Sequence, residues 1–364
     1  MNRIANTSLK ILKWVGIVIL SLILIIFLAR WIGKGINNRT PKGGINESMY
    51  VEINGAKQWI SIYGQNKDNP VLLYLHGGPG SATSPYDYAF TRKWADVYTV
   101  VTWDQRGCGK SYDKSHPGSI TVDIMMQDGK AMTEFLRNYL QVEKITLLGH
   151  SWGSYFGANL ALAYPDYYEA FIGTGQFIDR DENEKRLYEA ALIWSEKDPE
   201  GREMVEKWFG TAQEDPHLRN QIMKRYGYDM MKDGMDYNIA TTLLFNPYYS
   251  LGEILAFFNE QEEVSKQYAS FWGADDFKRM SLLGRYDYEI PYFNINGDID
   301  YQTNYSLACE YFEQVNAPRK QMFVMKDATH GLLESRSEEF AGYLHQIATL
   351  DRVPERSDSE GLGD

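Results

Sequence analysis

The sequence predicts a mostly parallel α/β sheet with helices on both faces, a helical insertion that interrupts it, and one membrane-spanning helix before it. Three observations carry this reading. Short apolar runs alternate with segments of helical period over residues 49–178 and again over residues 286–352, which is the rhythm of a covered parallel sheet. That rhythm stops over residues 179–285, where Pro, acidic and aromatic residues dominate. Near the amino terminus, residues 14–29 form an unbroken uncharged run that is mostly aliphatic.

The N-terminal run comes first in order. Its residues, at about 1.5 Å each, give roughly 24 Å of helix. Lys13 and Arg30 flank it, and their long side chains extend the effective span to residues 11–33. Trp14 and Trp31 mark the two ends, at the depth indoles prefer. Phe27-Leu28-Ala29-Arg30 lacks small residues at A-x-A spacing, so a retained anchor is expected over a cleaved signal. Residues 1–10 are a short arm, and short arms stay in the cytoplasm easily, which puts the body outside it. Residues 34–48 contain Asn, Gly and Pro and read as a linker holding the body off the membrane.

In the body, residues 49–53 and 57–63 read as strands joined by Asn54-Gly55, a hairpin signal. Residues 71–75 are a continuous apolar run followed by Gly-Gly-Pro-Gly, and residues 97–103 are another, ending at Asp104. Residues 122–140 have helical spacing. A strand follows at 144–148, a helix at 152–164 and a strand at 168–173. After the insertion, strands at 291–295 and 321–325 alternate with helices at 304–314 and 338–349. Residues 353–364 read as a frayed tail.

Composition narrows the function. Of 364 residues, 44% are hydrophobic and 24% charged, which excludes wholesale disorder. Two cysteines, Cys108 and Cys309, exclude a disulfide scaffold and any Cys-rich metal site. The net charge is −12, yet residues 1–46 carry seven basic and no acidic residues. The remainder holds 30 basic against 49 acidic residues, a balance of −19. Such a body is repelled by nucleic acid, so no nucleic-acid partner is expected.

Gly149-His150-Ser151-Trp152-Gly153 matches G-x-S-x-G between a strand and a helix. The pattern suits a turn sharp enough to expose the Ser151 hydroxyl, with the following helix directing its N–H groups at the same spot. His76-Gly77-Gly78-Pro79-Gly80 ends an earlier strand and can supply a second oxyanion donor beside the N–H of Trp152. A serine needs a histidine base held by a carboxylate. Of six histidines, His76 and His150 sit inside glycine motifs, His116 precedes a proline, His217 lies in the insertion and His345 on a late helix. His330, in the loop after the last strand, is the expected base. Gly297-Asp298-Ile299-Asp300 offers two carboxylates after the preceding strand. Asp300 is preferred because Gly-x-x-Asp leaves room to turn back toward the histidine, with Asp298 the fallback and Asp179 a remote third.

These segments, with Asp104-Gln-Arg-Gly-Cys-Gly-Lys-Ser111, resemble the α/β-hydrolase superfamily and, within it, the proline iminopeptidase (prolyl aminopeptidase) family. The resemblance covers about residues 50–178 and 286–350. It implies an α/β-hydrolase fold, and release of an N-terminal residue, often proline, from a short peptide, with no metal or cofactor. It implies Ser151 as nucleophile, His330 as base, Asp300 as its orienter, and the Gly78 and Trp152 N–H groups as oxyanion donors. It also implies that residues 104–111 buttress the site. The chain departs from the family at His150, where glycine is commoner, and in its membrane anchor. The family's lid binds the substrate's amino group through acids; here Asp179, Asp181, Glu182 and Glu184 cluster at the lid entrance, and Asp179, Glu182 and Glu184 are the candidates. Trp194, Trp208, Phe257, Phe258 and Trp272 are candidate lid-lining residues. The same triad would equally serve an esterase or amide hydrolase, and a sensor on a hydrolase scaffold is a third, remoter reading.

Overall fold

The computed structural model describes residues 2–115, 118–211 and 215–351. Eight strands make one sheet: β1 (Ile45–Ile53), β2 (Ala56–Gly64), β3 (Val71–Leu75), β4 (Thr99–Asp104), β5 (Ile145–His150), β6 (Tyr168–Thr174), β7 (Tyr292–Gly297) and β8 (Lys320–Met325). Their spatial order is β1-β2-β4-β3-β5-β6-β7-β8. β1 and β2 form the expected hairpin over Asn54-Gly55, β2 pairs antiparallel with β4, and every later pair is parallel.

The core follows from the pleat. Leu73 and Leu75 of β3 face one side, where Met125, Met132 and Leu136 of α2 (Val122–Leu140) and Phe156 and Leu160 of α3 (Trp152–Ala163) cover them. Leu72 and Tyr74 face the other, packed with Phe90, Trp94 and Phe340. The insertion adds helices α4 (Arg180–Trp194), α5 (Pro199–Gly210), α6 (Pro216–Arg225), α7 (Leu251–Asn259) and α8 (Gln261–Gly273). It has its own small core around Leu187, Ala191, Trp208 and Ile222. Helices α9 (Tyr305–Gln314) and α10 (Ser337–Asp351) complete the sheet's cover.

Helix α1 runs Asn2–Asn37. Its stretch Lys10–Asn37, with mean hydropathy 2.8 in its most apolar window, is long and apolar enough to cross a membrane. The expected linker is shorter than read, since the helix continues through residue 37 and β1 starts at 45. The last turns do not stand off the body either. Arg30 is buried, donating through Nη1 to the Leu244 carbonyl and through Nη2 to the Tyr249 carbonyl at 2.6 Å. Lys34 Nζ reaches the same Tyr249 oxygen at 3.0 Å, and Asn37 Nδ2 reaches the Phe245 oxygen at 3.0 Å. These three residues recur at helical spacing on one face. The Leu244 and Phe245 carbonyls are left open where the short helix Ile239–Leu244 ends, and that of Tyr249 lies in the loop that follows. The expected C-terminal tail at 353–364 lies outside the described residues.

Candidate active site

β5 ends at His150 and α3 begins at Trp152, so Ser151 alone makes the turn. Its φ is 57° and ψ −122°, a costly conformation for a residue with a side chain, sustained only where the surroundings dictate it. They do so through two glycines. A Cβ at Gly149 would sit 2.1 Å from the Gly153 carbonyl oxygen, and one at Gly153 would sit 2.0 Å from that of Leu75. The Ser151 N–H donates to Thr174 O at 3.0 Å, and Ser154 Oγ donates to Ser151 O at 2.6 Å.

Trp152 opens α3, so its N–H has no partner in the helical ladder. The loop after β3 lies against the serine: a Cβ at Gly77 would be 3.1 Å from that of Ser151. Gly78 and Trp152 line one cavity with Ser151.

His330 is brought to the same strand ends. Its Nδ1–H donates to Asp300 Oδ2 at 2.7 Å, with both side chains 1% exposed. Asp300 Oδ1 accepts the N–H groups of Gln302 (2.8 Å) and Thr303 (3.0 Å), and Thr303 Oγ1 donates to Oδ2 at 3.0 Å. Burial opposes ionisation of Asp300, but the His330 charge and hydrogen bond and the Thr303 donors outweigh it, so its carboxyl titrates below the usual value. The other ring nitrogen of His330, Nε2, is buried without a partner among the described residues. Ser151 and His330 do not hydrogen-bond directly here, and such bonds often tighten only with substrate. His150 ties the two residues together. Its ring centroid is 4.7 Å from that of His330, and its Nε2–H donates to the His330 carbonyl at 3.0 Å. Burial first, then the His330 charge, push the His150 pKa down to about 3.

The other expected residues divide. Asp298 accepts the Asp327 N–H at 2.7 Å and pairs with Lys326 at 3.2 Å, and makes no bond to His330. Asp179 caps α4 by accepting the Glu182 N–H at 2.8 Å. Glu182 pairs with Lys185 and Arg186 and, like Asp179, does not line the cavity. Glu184 does, but it is bound to Arg219. Of the five aromatic candidates only Trp272 lines the cavity; Trp208 is in the insertion's core, Trp194 stacks on Tyr228, Phe257 packs on the main core and Phe258 is exposed. His76 is buried, bonded to Gly77 O and the Gln105 N–H, and burial lowers its pKa to about 4. His217 contacts Gln221, His345 contacts Asp96, and His116 lies outside the described residues.

Residues 104–111 acquire a physical role. Asp104 accepts the Lys110 N–H (2.7 Å) and the Ser84 hydroxyl (2.8 Å). Gln105 Nε2 donates to His76 O at 3.1 Å, and its Oε1 accepts the Trp152 indole N–H at 3.0 Å, joining both site loops. Arg106 forks onto Asp128 at 2.6 and 2.9 Å. The Asp104–Ser111 resemblance marked Gln105 without saying what it holds, and Thr303 carried no signal, because a lone threonine three residues after Asp300 belongs to no motif.

The cavity over Ser151 measures about 530 Å³ and is walled by Gly78, Pro79, Trp152 and Phe177 on the core side and by Arg180, Arg219, Trp272 and Phe277 from the insertion. A mostly parallel sheet with a serine elbow at one strand end and a roofed cavity above it is the layout of a hydrolase. Residues 70–337 match the family described as alpha/beta hydrolase fold, and the chain belongs to that family. It is 26% identical over 290 residues to the probable aminopeptidase YbaC of Bacillus subtilis, covering 77% of this chain and 89% of that one. It is 33% identical over 146 residues to the proline iminopeptidase of Neisseria gonorrhoeae, 40% of this chain and 45% of that one. A solved membrane phospholipase A superposes with a TM-score of 0.59 at 16% identity, covering 97% of this chain and all of that one, a likeness of fold. The chain is thus a hydrolase with aminopeptidase and proline iminopeptidase homologues.

Proposed function

We propose that the chain is a membrane-anchored serine aminopeptidase that releases an N-terminal proline or small residue from short peptides. The observation that carries this is the buried Asp300–His330 pair at 2.7 Å, whose imidazole packs on the residue preceding the Ser151 elbow. Asp300 fixes the tautomer by occupying Nδ1, which leaves Nε2 to take the hydroxyl proton. Ser151 then attacks the substrate carbonyl. The developing oxyanion is met by the Gly78 and Trp152 N–H groups. His330 returns its proton to the leaving amine, and water clears the acyl-enzyme by the same steps reversed. The insertion closes the cavity over the serine and limits it to short substrates. The peptidase reading draws on the aminopeptidase and proline iminopeptidase homologues. The anchor is α1, with the body outside the cytoplasm.

The test is a panel of aminoacyl amides with free and with blocked amino groups. Release of proline or alanine from the free forms, lost in Ser151→Ala, is the expected result. Cleavage of short-chain esters without any aminoacyl amide would assign the same machinery to ester hydrolysis instead.

A further inference from the structure

An aminopeptidase cavity is expected to offer acids to a substrate ammonium, and this one offers the opposite charge. The ionisable side chains lining it are Arg180, Arg219 and Lys278 against the single carboxylate Glu184, a formal balance of +2 in a body of strongly negative charge. Glu184 is already engaged. Arg219 Nε reaches its two oxygens at 3.1 and 2.9 Å, and Asn183 Nδ2 donates to Oε1 at 3.1 Å. Arg219 is in turn held by the Gln302 side chain at 2.5 Å and the Gln302 carbonyl at 3.1 Å. Freeing Glu184 for an ammonium would break a largely buried pair and strand the guanidinium, which is costly.

Arg180 is placed differently. It is half-buried, lines the same cavity as Ser151, and its guanidinium has no hydrogen bond or ion pair among the described residues. Its backbone is fixed, because the Arg180 N–H donates to Met280 O at 3.2 Å and Asp179 caps the helix that starts there. A guanidinium presents a rigid fork that matches a carboxylate with two parallel hydrogen bonds. Lys278 adds a second positive group to the same wall.

We infer that the substrate carries a carboxylate close to the bond that is cut, and that Arg180 grips it. A cavity of about 530 Å³ suits a ligand the size of a short peptide, so this carboxylate is either the free C-terminus of a di- or tripeptide or the side chain of an acidic N-terminal residue. The inference rests on the serine-hydrolase reading and sharpens its substrate class.

The test uses the full-length protein, with fluorophosphonate labelling of Ser151 as the check that each variant is folded. Ala-Ala is compared with Ala-Ala-amide, and glutamyl with glutaminyl p-nitroanilide. Wild type is expected to favour the carboxylate member of one pair by about 10- to 100-fold in kcat/KM, carried mainly by KM. The pair that shows the preference identifies the source. In Arg180→Gln the ratio should fall toward one, and Arg180→Lys should keep part of it, having the charge without the fork. Equal rates within both pairs in wild type, or a ratio unchanged in Arg180→Gln, would overturn the inference. If no aminoacyl substrate is cleaved, the peptidase reading is what has failed. The carboxylate is then judged on the acyl side with 4-nitrophenyl hemisuccinate against 4-nitrophenyl butyrate and on the leaving-group side with 4-carboxyphenyl butyrate against phenyl butyrate, where an Arg180-dependent preference in either pair supports it and its absence in both refutes it.

Discussion

Ser151 keeps its unusual backbone because its neighbours leave no other path, and His330 keeps its tautomer because Asp300 occupies Nδ1. These roles separate under substitution. Ser151→Ala should abolish turnover, while Asp300→Asn should cut kcat by about 10³- to 10⁴-fold with little change in KM, since the imidazole is misoriented and binding is not. Steady-state kinetics on a cleaved amide or ester decides both. His150 gives a pH signature. Its folded pKa, about 3, lies below the unfolded value, so it contributes stability above about pH 6.5 that is lost as pH falls toward 3. The stability difference between wild type and His150→Gln should therefore shift against wild type by about 3 kcal/mol between pH 7.5 and 4.5. Asp87, Asp104 and Glu334, raised to about 7 by burial, act in the opposite sense, losing stability as pH rises from 4 to 7, and they cancel in that comparison. A difference that stays flat in denaturant melts would contradict the role given to His150. Ser151 and His330 were legible in the sequence because strand ends and glycine spacing confine them. Asp300 could be preferred there over Asp298 only by loop geometry, and the distinction rests on a 2.7 Å contact. Arg180 stood unremarked among the acids, and the pairing of Glu184 with Arg219, 35 residues on, leaves no local trace.

Elements carried most of the legible fold. Every strand and long helix of the sheet was readable from its period, with ends shifted by a few residues. The short helices Tyr88–Thr91 and Leu332–Ser335 were not, because four residues show no period. At this scale the elbow depends on contact between β3 and α3. Gly153→Ala would press a methyl group onto the Leu75 carbonyl, and is expected either to prevent folding or to lower the melting temperature sharply with loss of Ser151 labelling. A variant that melts and labels like wild type would contradict the packing argument. The Arg106–Asp128 fork ties the segment after β4 to α2, and Gln58 Nε2 also donates to Asp128 at 2.7 Å. Arg106→Met leaves a buried carboxylate without its cation and should cost about 3–5 kcal/mol in chemical denaturation.

Across the whole molecule, the apolar helix is hydrogen-bonded to the insertion between residues 30–37 and 244–249. The sequence marked Arg30 as a membrane-interface residue, and its burial on the body could not be read from composition. Arg30→Met should raise hydrogen exchange over residues 239–249, because the Leu244 and Tyr249 carbonyls lose the guanidinium donor that holds the segment, and unchanged protection there would argue that the contact is dispensable. Removal of residues 1–37 should move the protein from the carbonate-resistant membrane fraction to the soluble one. The proposed chemistry as a whole turns on the serine. Treating the folded full-length protein with a fluorophosphonate and mapping the adduct by peptide mass spectrometry is its most direct test. A single adduct on Ser151, lost in Ser151→Ala and strongly slowed in His330→Ala, is the expected result. A folded protein that stays unlabelled, or an adduct that persists in Ser151→Ala, would contradict it.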